Sequence, residues 1–194
     1  GRLRPIPAER VIVAPNGHVV DLAGRPLLCI DAPGHAKHHL TVYDARANVC
    51  FTGDVFGLSY REFDSAGRNY LMPTTSPVQF DPAAWETTLA RILAKHPEHV
   101  YLTHYSRVDA VAELANDLRA GLAAYQRIAH ANAHAEDRHA RLYADLMAFH
   151  LGQLRERGNP LVEARARELL DMDVEINAQG LEVWLDREAG TAHH

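Results

Sequence analysis

Short apolar runs separated by turn chemistry fill the first hundred residues. VIVA (11–14) precedes Pro15-Asn16-Gly17, HVVDL (18–22) precedes Ala23-Gly24-Arg25-Pro26, and LLCIDA (27–32) follows. HLTVY (39–43) and VCFTG (49–53) flank Asp44-Ala45-Arg46-Ala47-Asn48, which reads as a hairpin loop. β-Branched and aromatic segments of this length, bounded by Gly, Pro, Asn and Asp, predict strands. One helix interrupts them. Asp81 suits an N-cap, Pro82 suits the first helical position, and Trp85, Leu89, Ile92 and Leu93 share a face before Pro97. The strand VYLT (100–103) then ends at His104. Strand, helix, strand predicts a layered α/β arrangement.

After Asp109 the period changes. Val111, Leu114, Leu118, Leu122 and Tyr125 fall on one helical face, and Leu142, Leu146, Phe149 and Leu154 form a second such stripe. Gly158-Asn159-Pro160 stops it, Val162 to Leu170 predicts a third helix, and Asn177 reads as the cap of a last short helix through Leu181, Trp184 and Leu185. The expected division is an α/β unit over residues 1–108 and a helical extension over 109–194.

Composition narrows the class of protein. With 47% hydrophobic residues, 23% charged residues and a net charge of −5 over 194 residues, the chain has enough apolar side chains for a real core. No run approaches the length of a membrane span, which predicts a protein of the cytoplasm. A pI near 6.2 argues against nucleic acid as a partner. Cys29 and Cys50 both sit in strand-like apolar runs and read as free, buried thiols. Histidine is the outlier, with 13 copies.

Three strand-like runs end in a side chain able to bind metal. They are Asp31-Ala32-Pro33-Gly34-His35-Ala36-Lys37-His38-His39, then Phe51-Thr52-Gly53-Asp54-Val55-Phe56-Gly57, then Tyr101-Leu102-Thr103-His104-Tyr105. Strand ends are where layered α/β folds gather catalytic groups, because the strands are rigid and the loops beyond them are free to vary. Imidazole and carboxylate are natural ligands of zinc and of non-haem iron.

In that order, APGHAKHH, FTGDVFG and LTHY resemble the third, fourth and fifth metal motifs of the metallo-β-lactamase-fold hydrolases, the superfamily of glyoxalase II and the lactonases. The resemblance covers about residues 10 to 105, and the helical tail is similar to extensions that some members carry. It implies an αββα sandwich, of which this chain would hold the second half. His35 resembles a ligand of the first metal, Asp54 the carboxylate that bridges both metals, and His104 the histidine on the second. His39 resembles a further histidine beside the site, where it and Asp54 would assist catalysis. His38 occupies a position that is often glycine; with Tyr60 and Arg61 in GLSYREF it becomes a candidate for contact with substrate, and Tyr60 reads equally as a ring packed against the sheet. Thr74-Thr75-Ser76-Pro77 reads as an ordinary loop that could line the same mouth.

One motif of the superfamily is missing. Its signature His-x-His-x-Asp-His does not occur; His96-Pro97-Glu98-His99 and His134-Ala135-Glu136-Asp137-Arg138-His139 both lack the spacing. The resemblance therefore implies the C-terminal portion of a longer protein. An uncovered half would expose the inner face of its sheet, to be closed by an N-terminal segment, a second chain or a symmetric copy of itself. It implies two divalent metals in the intact protein, zinc first with iron or manganese as alternatives, and partial or no binding by this chain alone. The implied reaction is hydrolysis of a small ester, thioester or lactone by hydroxide held on the metals. Two other readings accompany it: a di-iron oxidoreductase of the same fold, and a non-catalytic half-domain that binds a protein. His130, His134 and His139 read as a solvated helix surface, and Gly1, His193 and His194 as plain chain ends.

Overall fold

The computed structural model describes residues 4–75 and 79–191; Gly1, Ser76, Pro77, His193 and His194 lie outside them. The strand-forming runs pair in the order in which they occur. β1 (Val19–Leu22), β2 (Arg25–Asp31), β3 (Leu40–Asp44) and β4 (Val49–Gly53) form an antiparallel meander. A crossover through α1 (Pro82–Leu93) then sets β5 (His99–Leu102) parallel to β4, and β6 (Arg107–Val108) closes the edge antiparallel to β5. The loop of Asp44 to Asn48 is the expected hairpin turn.

VIVA is a correction. Residues 11–14 form no strand, and Val13 is 83% exposed. Composition makes a segment fit for a sheet, but a strand also needs a neighbour for its N–H and C=O groups, and no described strand pairs with it. The two-residue β6 gave no periodic signal to read.

α1 begins where the sequence places it. The Asp81 carboxylate accepts from the N–H groups of Ala83 and Ala84 at 3.1 and 3.0 Å, satisfying donors that the first turn leaves unpaired. Trp85, Leu89 and Ile92 are fully buried and share one core with Cys50, Val100 and Val108, which point from one face of the sheet.

α2 (Val111–Asn132), α3 (Arg138–Glu156) and α4 (Glu163–Thr191) extend that same core. The fold is thus an α/β layer with a helical extension. α4 corrects the expected pair of short helices: Asn177 lies in mid-helix and is buried. The stretch Asp171 to Ile176 contains neither Gly nor Pro, so nothing breaks the helix there. Among the described residues no helix is long and apolar enough to cross a membrane.

The opposite sheet face is open in part, with Cys29 and Val49 buried on it and its larger apolar side chains exposed. Side chains alternate along a strand, so Val42, Phe51 and Tyr101, aligned across β3, β4 and β5, share the face away from Cys50 and Val100. Phe51 stacks on Tyr101 with ring centroids 5.1 Å apart and is still 46% exposed. Val20, Leu22 and Leu40 are exposed on the same side.

Candidate metal centre

Each motif residue sits where a strand stops. His35 follows β2 on a loop pinned to the start of α1: the Asp81 N–H donates to the Gly34 carbonyl at 2.8 Å, and the Thr88 hydroxyl to that of Pro33 at 2.6 Å. Gly34 has φ +138°, and a Cβ there would lie 2.5 Å from the Cα of Trp85, so only glycine lets the loop lie against the helix. The His35 Nδ1 stands 3.0 Å from the Thr74 carbonyl and 2.8 Å from the Thr74 hydroxyl. A carbonyl only accepts, so this ring carries its proton on Nδ1 and turns the Nε2 lone pair toward Asp54.

Asp54 leaves β4 through Gly53, whose φ of +57° and ψ of −143° aim the carboxylate out of the sheet edge. The Asp54 N–H donates to His39 Nε2 at 3.1 Å. His39 is thereby committed to the backbone beside Asp54, with its proton on Nδ1, a buried atom that has no partner. Burial first, and then His35 nearby, lower the basicity of His39.

His104 ends β5 on a loop in which Tyr105 and Ser106 have φ of 69° and 72°. Arg61 holds that loop by donating to the carbonyls of Tyr105 at 2.7 Å and Arg107 at 2.6 Å. The Asp54 carboxylate stands between the two histidines: Oδ2 is 3.7 Å from His35 Nε2, and Oδ1 is 3.6 Å from His104 Nε2. Neither separation is a hydrogen bond, and Asp54 Oδ1 is buried without a partner.

That orphaned oxygen and the facing imidazole nitrogens suit cations. Among the described residues no group of three or more His, Cys, Asp or Glu side chains is arranged around one metal.

α4 supplies the other wall. Asp173, Ile176 and Asn177 face His35, Asp54 and His104 across a cavity of about 250 Å³. Tyr60 lies behind this wall, its hydroxyl donating to the Asp173 carboxylate and its ring set against Phe63 and Tyr105. Burial is the main cause that raises both the Tyr60 hydroxyl and the Asp173 carboxyl above their ordinary values. Of the residues expected to meet substrate, His38 is exposed on its turn, Arg61 is spent on the His104 loop, and neither lines the cavity. Asp173 carries no local signal of a site residue, and Asn177 reads in the sequence only as a helix cap. The signal for Asn177 was present: it shares the helical stripe of Leu170, Val174, Ala178 and Leu181, all fully buried.

No family model matches the chain, and no curated protein does so either. Solved structures do. A metallo-beta-lactamase family protein of Thermus thermophilus is 18% identical with a TM-score of 0.52, the match covering 91% of this chain and 48% of that one. A beta-lactamase domain protein of Burkholderia ambifaria is 19% identical with a TM-score of 0.52, covering 73% of this chain and 42% of that one. An archaeal metallo-beta-lactamase superfamily protein of Sulfolobus tokodaii is 26% identical over 60% of this chain and 41% of that one, with a TM-score of 0.49. The Thermus and Burkholderia proteins establish the fold: this chain is built on the metallo-β-lactamase fold. It spans less than half the length of each of these structures.

Proposed function

We propose that the chain supplies one side of a dinuclear metal centre in a hydrolase of esters, thioesters or lactones. One observation carries this reading: the Asp54 carboxylate stands between His35 and His104 with a buried, unpartnered oxygen at the wall of a cavity. Bound divalent metals, zinc first with iron or manganese as alternatives, would supply Lewis acidity and bring the pKa of water down to about 7. The chain's own residues prepare for that. Thr74 holds the His35 proton on Nδ1 and leaves Nε2 free, and His39 fixes the backbone of Asp54. Leu58 and Ile176 give the cavity an apolar side for the body of a small substrate, and Asp173, braced by Tyr60, gives it a polar one.

The remaining ligands come from another segment, on a longer chain or a second polypeptide, that also covers the open sheet face. Intact mass together with metal analysis on dialysed protein tests this. The 194-residue chain alone should carry less than stoichiometric metal. The chain with its completing segment should carry two zinc ions and hydrolyse aryl esters, with Asp54→Asn losing both. A completed protein that binds no metal overturns the proposal. One that holds iron with visible absorption replaces it with a redox enzyme.

A further inference from the structure

The helical extension sends one buried chain of hydrogen bonds to the loop that holds His35. Tyr70, just before that loop, meets His150 Nδ1 of α3 at 2.6 Å; Tyr125 of α2 meets His150 Nε2 at 2.7 Å. Tyr125 donates its own proton to the Pro73 carbonyl at 3.3 Å, so it accepts from His150 Nε2 and from the Asn177 amide at 3.0 Å. His150 Nδ1 then accepts from Tyr70, and every proton in the chain has a direction.

The chain ends by gripping both neighbours of Thr74. The Asn177 amide donates to the Pro73 carbonyl at 3.1 Å and accepts from the Thr75 N–H at 2.7 Å. Thr75 donates its hydroxyl to the Asn177 carbonyl at 3.0 Å. Close approach is possible because α4 has no side chain at Gly180, where a Cβ would lie 2.3 Å from the Thr75 hydroxyl oxygen and 3.0 Å from its carbonyl. Thr74 itself is left to touch His35.

We propose that Asn177 is a positioning residue of the metal centre: by bracketing Thr74 it sets the ring orientation and the Nδ1–H tautomer of His35. This rests on the reading of His35 as a ligand, since a ligand histidine needs its outer nitrogen protonated and its inner lone pair aimed. A role confined to stability would leave the tautomer unchanged in any variant that folds.

The test reads the tautomer directly, by two-bond proton–nitrogen correlation of the imidazoles at a pH where they are neutral. His35→Gln identifies the signal, and no metal is added. Wild type should show His35 wholly in the Nδ1–H form. Asn177→Leu and Gly180→Ala should each shift it to a mixture containing the Nε2–H form, while the signal of His18, just before β1, stays in place. A His35 that lacks the Nδ1–H form in wild type, or keeps it undiminished in a folded variant, overturns the proposal. If Asn177→Leu does not fold, Gly180→Ala decides, because it removes no polar group. A tautomer that responds in a protein that never binds metal would uphold the positioning and refute the hydrolase reading.

Discussion

At the scale of single residues, two positions carry more than their chemistry suggests. Gly53 combines a backbone that side chains rarely adopt with a space already filled: a Cβ there would lie 2.3 Å from Cε1 of His39. Gly53→Ala must strain φ or expel the ring that accepts from the Asp54 N–H. The expected cost is about 3 kcal/mol in a denaturant titration, and a loss below about 1 kcal/mol would disprove the account. His150 is the second. Its burial, with no charged partner, pushes it down to about 3, while Tyr70 and Tyr125, both raised by their own burial, stay protonated around it. A folded-state value below the unfolded one, about 6.5, means that the unfolded chain binds the extra proton. This contribution is fully present above pH ~6.5 and is lost as pH falls toward the folded value. Between about pH 6.5 and pH 4.5 it removes roughly 2–3 kcal/mol. His150→Phe should be less stable at pH 7, since it strands the Tyr70 hydroxyl and removes one partner of Tyr125, but flatter toward acid. An equal acid loss in both proteins would rule this out.

At the scale of elements, α1 is the joint between helix and site. Its Asp81 cap serves two amides of its own first turn, and the Asp81 N–H reaches the Gly34 carbonyl on the His35 loop. Asp81→Ala should cost about 1 kcal/mol, or about 2–4 °C in melting temperature, with Asp81→Ser recovering most of it. A melting curve unmoved by the alanine would show the cap to be idle. This element was legible because its signals are local: a cap, a proline at the first position and a 3.6-residue stripe. The same holds for β4, whose bounds match its apolar run, and for the positions of His35, Asp54 and His104 beyond strand ends. What failed was information held elsewhere in the chain. VIVA has the composition of a strand and lacks a partner. Asn177 has the composition of a cap, but its side chain is spent on Pro73 and Thr75, more than a hundred residues upstream in sequence, so the helix runs through it. Asp173 escaped notice because nothing local tells which turn of a long helix faces a cavity.

At the scale of the whole molecule, the two faces of the sheet have opposite fates. Cys50 and Val100 lie under helices and are fully buried, while Phe51, one residue further along β4, stacks on Tyr101 in the open. Strand alternation makes the comparison sharp, since neighbouring residues of one strand test both faces. Val100→Glu places an unpaired charge in the core and should unfold the chain. Phe51→Glu should change folding stability by less than about 1 kcal/mol, because an exposed ring gives up little burial. Its effect belongs to association. An exposed apolar patch draws partners, so the 194-residue chain should self-associate as its concentration rises in sedimentation experiments. Phe51→Glu should hold it monomeric. If a further segment completes a metal centre as proposed, the same substitution should loosen that segment, and metal content should fall although none of His35, Asp54 and His104 has been touched. If the wild-type chain stays monomeric at high concentration and binds no apolar dye, the open face is not sticky and the need for a covering segment loses its physical basis.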